Sequence, residues 1–255
     1  METTKSYYDA IYLSPHLDDV VLSCGGQIFQ ATAVQGQSIL IVTITAGDPP
    51  HSAISDFAQG QHQSWELLSE ATAQRRAEDA AACRLIGADY VHWQVPDCIY
   101  RHNPETSIAF YNSDPDIFGA VNSAEYSLID ELAARLSDLP PHGHVFAPLT
   151  IGNHVDHQLT RLAAEKCFGD KLVYYEEYPY AQRLGGVTSV IPADDLHWQA
   201  EIIPLSEVAL QTKIEAVAAY PSQMANLFNG RSNMIHLLTS YTQAIGGERI
   251  WHHHP

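Results

Sequence analysis

The chain is short of positive charge. Thirteen Lys and Arg residues stand against 30 Asp and Glu, a formal net charge of −17. Nucleic-acid binding calls for a basic footprint, and docking on anionic lipid calls for a basic patch. Neither partner class is expected. Long apolar runs are missing too: none approaches the roughly 20 residues of a membrane-spanning helix. The stretch Met1 to Asp9 has no apolar h-region, so no secretory signal is expected and the cytoplasm is the default compartment. Cysteine is scarce. Cys24, Cys83, Cys98 and Cys167 form no Cys-x-x-Cys pair, which argues against a disulfide framework and for reduced core thiols. The G-x-G-x-x-G fingerprint of dinucleotide binding is absent as well. What remains is an ordinary globular balance over 255 residues. That length suits one large domain, 1–255, better than two.

The pattern along the chain is α/β. Tyr8 to Ser14 reads as a strand stopped by Pro15, and Ser38 to Thr45 as a strand buried on both faces, with a short helix in 25–35 between them. Residues 48–64 are polar and read as a long surface loop. Further helices are expected over 65–85, 123–139, 155–167, 206–219 and 232–244, with strands at 90–93, 144–147, 172–175 and 198–203. Alternating strands and helices predict a Rossmann-like three-layer sandwich with a mostly parallel sheet. Ligands of such sheets sit beyond the carboxyl ends of the strands. Gly25-Gly26 reads as close strand–helix packing.

Two motifs fall at those strand ends. Ser14-Pro15-His16-Leu17-Asp18-Asp19 follows the first strand, and Gly152-Asn153-His154-Val155-Asp156-His157 follows the strand that ends near Ala147. Each alone could be a helix cap. Together they supply two histidines and one aspartate for an ion, with a spare Asp and His for acid–base work. This is the three-ligand open arrangement of catalytic zinc.

These residues resemble the PIG-L (LmbE-like) deacetylases. The usual (A/P)-H-P-D-D-E stands here as Pro15-His16-Leu17-Asp18-Asp19-Val20, and H-x-D-H as His154-Val155-Asp156-His157. Weaker matches are Arg75-Arg76-Ala77-Glu78, Asp97 and the run Lys213 to Gln223. Leu17 replaces the common Pro, Val20 the common Glu, and Tyr220 a common His. The resemblance implies a zinc-dependent N-deacetylase acting on a small-molecule amino-sugar conjugate of the N-acetylglucosamine type. It implies His16, Asp19 and His157 as ligands of Zn2+, a set that does not strongly exclude Fe2+ or Co2+. Asp18 would be the general base or electrostatic support. His154 would stabilise the oxyanion, or protonate the leaving amine, or only cap its helix. Asp156 would hold an imidazole or face the helix dipole. Arg75 and Asp97 would contact substrate, or be respectively a paired surface residue and a turn former. Hydrolysis of another amide or an ester, and a binding module without turnover, are the competing readings. Oligomeric state is open, a homo-oligomer included.

Overall fold

The computed structural model describes residues 5–50, 54–64, 71–183 and 185–254. The apolar runs form strands because each buries alternate residues on opposite faces. In β1 (Tyr8–Ser14) and β2 (Ile39–Thr43), Ala10, Tyr12, Ile39 and Ile41 belong to one core cluster, and Ile11, Leu13, Leu40 and Val42 to the other. The first cluster is covered by α1 (Asp19–Phe29), α3 (Ala71–Leu85), α7 (Glu207–Val217) and α9 (Arg231–Ile245). The second is covered by α5 (Tyr126–Ser137) and α6 (Val155–Phe168). The short helices α2 (Asp56–Ser64), α4 (Asp114–Ile117) and α8 (Pro221–Gln223) lie in the connections.

With β3 (Asp89–His92), β4 (His142–Pro148), β5 (Leu172–Tyr175), β6 (Trp198–Ile203) and β7 (Glu248–His253), the sheet has seven strands in the order β3-β2-β1-β4-β5-β7-β6. The first five are mutually parallel, and β7 runs antiparallel to both neighbours. The order reverses between β1 and β4, which are paired with Tyr12 opposite Phe146. That reversal is the switch point at which α/β sheets bind ligands. The two motifs leave the sheet there, side by side.

One expectation changes in detail. Part of the stretch read as loop, 56–64, is helix α2. Its Ser55 hydroxyl accepts the Ala58 N–H at 3.1 Å, and the fully buried Ala58 packs with Cys98 and Ile99. Tertiary burial outweighs its polar composition. The helix expected from 65 is described only from Ala71, and 65–70 lie outside the described residues. Gly26 packs closely against Glu248 of β7 and the Leu205 side chain, which leads into α7; a Cβ on Gly26 would stand 2.4 Å from Leu205 Cδ1 and 3.1 Å from Glu248 Oε1.

The strand β7, unforeseen in the sequence, is tied into α1. Glu248 accepts the backbone N–H groups of Gly26 at 3.0 Å and Gln27 at 2.8 Å, and pairs with Lys213 Nζ at 2.7 Å. Lys213 also donates to Ser23 O. Both ionic side chains are buried. Their charges are tolerable there because each meets an opposite charge and a backbone dipole.

Candidate active site

The turn after β1 is folded by its own side chains. The Ser14 hydroxyl donates to His16 O at 2.6 Å, and the Asp19 carboxylate accepts the His16 backbone N–H at 2.8 Å. Asp18, between them, has φ 156° and ψ −30°, a backbone region sparsely used by residues with side chains. The second motif enters α6 through Gly152 at φ 91° and Asn153 at φ 63°. Gly152 is required twice over: a Cβ there would also meet the Tyr180 ring at 2.7 Å. The Asn153 amide donates to Phe118 O and Gly119 O, which fastens the motif to the neighbouring wall.

The motifs converge on one carboxylate oxygen. Asp19 Oδ2 lies 3.1 Å from His16 Nδ1 and 3.3 Å from His157 Nε2. His157 Nε2 is buried and makes no hydrogen bond of good geometry. The remaining nitrogen of each ring is anchored by a carboxylate. His16 Nε2 meets Asp156 Oδ2 at 3.0 Å, and His157 Nδ1 meets Glu177 Oε1 at 3.1 Å. Such anchoring sets the tautomer and orientation of a ligating imidazole. Zinc holds N and O ligands at about 2.0–2.2 Å in a tetrahedron, which spaces neighbouring ligand atoms by about 3.3–3.5 Å. The donor set, its spacing and the orphaned Nε2 all fit a divalent ion.

His154 also offers a nitrogen within 4.8 Å of His16 and His157. Its chemistry argues against ligation. Nδ1 accepts the Asp156 backbone N–H at 3.2 Å, capping α6. In the neutral ring the proton is therefore on Nε2, leaving that atom a donor. Burial first, and the charge of His16 next, push its pKa well below the ordinary histidine value, so the neutral ring prevails.

A cavity of about 440 Å³ opens above these groups. His16, Asp18, Asp19, Arg75, Asp97 and His154 line it, while Asp156 and His157 are wholly buried behind them. All eight residues singled out in the sequence are thus brought to one place. Arg75 Nη2 lies 3.4 Å from Asp18 Oδ2. Asp97 Oδ1 accepts the Ile99 N–H, and its Oδ2 is 3.8 Å from His16 Nε2. Burial lifts the Asp18 carboxyl to about 7 against the opposing pull of Arg75. Asp48, after β2, is exposed and paired with Arg76. Tyr220 is buried and donates to Asp79 Oδ1 at 2.7 Å.

Glu177 was not anticipated. Besides His157 it accepts the Thr150 and Ile151 N–H groups at 2.7 and 3.2 Å. A signal existed: Glu176-Glu177 directly follows β5, at the same end of the sheet as both motifs. The aromatic wall of Phe118 and Tyr180, the latter with its ring centroid 5.8 Å from that of His157, was likewise unforeseen.

Residues 11–168 match the family described as PIG-L: GlcNAc-PI de-N-acetylase. The chain belongs to the PIG-L family. It is 27% identical over 240 residues to 2'-N-acetylparomamine deacetylase of Niallia circulans, covering 86% of this chain and 82% of that protein. The enzyme of the same name from Streptomyces fradiae is 28% identical, covering 84% and 72%. Among solved structures, the zinc-inhibited form of teicoplanin deacetylase superposes with a TM-score of 0.78 at 29% identity, over 95% of this chain and 96% of that one. Family and relatives make this chain a hydrolytic N-deacetylase, and its cluster of His and Asp side chains could hold a divalent metal.

Proposed function

We propose that the protein hydrolyses the N-acetyl amide of a glucosamine-type sugar conjugate, with zinc on His16, Asp19 and His157. The observation that carries this reading is the convergence of His16 Nδ1 and His157 Nε2 on Asp19 Oδ2, each ring held from behind by its own carboxylate. A divalent ion on such a set supplies Lewis acidity and lowers the pKa of water towards about 7. Asp18, at the cavity surface beside Asp19, takes a proton from the attacking water at its carboxylate. His154, its tautomer set by the helix cap, donates Nε2–H to the oxyanion that develops on the carbonyl oxygen, and the proton held by Asp18 passes to the amine as the C–N bond breaks. Asp156 holds His16. Arg75 orients Asp18 and, with Asp97, faces the sugar. The wall mixes Leu22, Ile99 and Phe118 with Asp114, Arg183 and Asn226, a blend that suits a ring with an apolar face and hydroxyl edges. A binding module without turnover would have no use for Asp18 or for a donor at His154.

Relatives acting on acetylated paromamine and on teicoplanin support a conjugate over a free monosaccharide. The four free thiols suit a reducing cytoplasm. Among the described residues no helix is long and apolar enough to cross a membrane. The test is acetate release from a panel of N-acetylglucosamine conjugates by zinc-loaded protein. The Asp18→Asn variant should retain metal and lose at least about 100-fold in kcat. No release from any member, or full turnover by the variant, would sink the assignment.

A further inference from the structure

Asp156 is fully buried, and one of its oxygens is not used by His16. Oδ2 receives His16 Nε2 and the Cys98 N–H, both at 3.0 Å. Oδ1 receives Arg101 Nη1 at 2.5 Å. The Arg101 guanidinium is itself buried and turns its other edge to Glu125, with Nε at 2.5 Å from Oε1 and Nη2 at 3.4 Å from Oε2. Its Nη1 also reaches Pro96 O, and the Tyr111 hydroxyl donates to Glu125 Oε2 at 2.5 Å. An unbroken buried chain therefore runs from a metal-ligating ring to the segment 96–125, which carries the cavity residues Asp97, Ile99, Ile117 and Phe118.

We propose that Arg101 is a positioning residue of the metal centre. Through Asp156 it fixes the His16 ring, and through Glu125 it ties the substrate wall 96–125 to that ring. The inference rests on the metal reading of His16, Asp19 and His157. A planar guanidinium can serve two carboxylates on two edges at once, whereas a lysine ammonium is a single point that cannot span them. Two buried carboxylates of like charge are held close by the one cation between them, so its geometry sets theirs. Asp156 without Arg101 would keep its hydrogen bond to His16 but lose its fixed direction, and the ring would swing with it.

The experiment compares Co2+ and Zn2+ binding, by chelator competition, in the intact protein and in Arg101→Lys. The visible spectrum of the cobalt-loaded form and the thermal midpoint of the metal-free form are followed alongside. Arg101→Lys should bind both ions about 10- to 100-fold more weakly, as outer partners of ligating histidines do when lost, and should alter the cobalt spectrum. A lowered thermal midpoint with affinity within twofold of the parent and an unchanged spectrum means a purely structural role and overturns the proposal. If Arg101→Lys does not fold, Glu125→Gln, which keeps the shape of the clamp and removes one charge, is judged by the same two readouts. Failure of the unmodified protein to bind either ion sinks the metal reading and this one with it. Binding by parent and variant alike sinks this one alone.

Discussion

At the scale of single residues the site is a set of nitrogens whose second partner decides their chemistry. Metal-free, His157 is raised to about 9 and His16 well above the usual value: burial opposes protonation of both rings, but Asp19 for His157, and Asp156 with Asp19 for His16, outweigh it. Raised values mean that the contribution of these rings to the stability of the metal-free fold is complete below about pH 6.5 and lost as pH climbs through each raised value, about 9 for His157. Metal needs the neutral rings, so its binding should expel protons near pH 7 and tighten over the same interval. Calorimetry in buffers of different ionisation enthalpy would register the release, and a pH-independent affinity would contradict the assignment. His154→Ala removes both a cap and the proposed donor. A loss of about 10² to 10³ in kcat with little change in metal content is expected, together with a modestly lower thermal midpoint. A lower midpoint with normal kcat would leave only the cap. Six of the eight residues singled out were legible because each lies in a short pattern at a strand end; Arg75, within α3, and Asp97 rested on the family resemblance. Glu177, Arg101 and Glu125 were not. They lie 20 residues from His157, 55 from Asp156 and 24 from Arg101 respectively; only Glu177 had a signal, its place just after β5, while Arg101 and Glu125 carry none until the fold joins them.

At the scale of elements, the helix α1 presents Asp19 to the site from its first turn while its middle is held from outside. Gly26 makes room for Leu205, and Glu248 binds the backbone there. Gly26→Ala should therefore destabilise, by about 1–3 kcal/mol as overpacking does, although alanine is the better helix former. Denaturant unfolding measures this, and an unchanged or raised stability would mean that Leu205 yields freely. The run Lys213 to Gln223 resembled the family for a reason visible only here. Lys213 and Glu248 are one buried pair. The β2 and β5 strands could be read from composition, since both are nearly all apolar. The β7 strand, Glu-Arg-Ile-Trp-His-His, could not, because its polar residues are satisfied by partners elsewhere, Arg249 and Trp251 by Glu176.

At the scale of the molecule, the Rossmann-like architecture followed from alternation of strand and helix, and the switch point between β1 and β4 turned two separate motifs into one site. The sequence pattern could not reveal the antiparallel insertion of β7 between β5 and β6, which depends on pairing and not on local preference. That insertion bears on how the protein is made. The contact between Gly26 and Glu248 spans 222 positions, so a chain emerging from the ribosome exposes both metal motifs long before α1 acquires its anchor. Contacts so distant in sequence form late. A nascent or truncated chain stopped before Glu248 would hold every proposed ligand and still lack a settled α1. Released fragments ending at residue 245 should bind zinc weakly and be cleaved by protease near 20–30, where the full chain resists. That outcome would mean that birth order withholds a working metal centre until the translated strand β7 arrives to lock it.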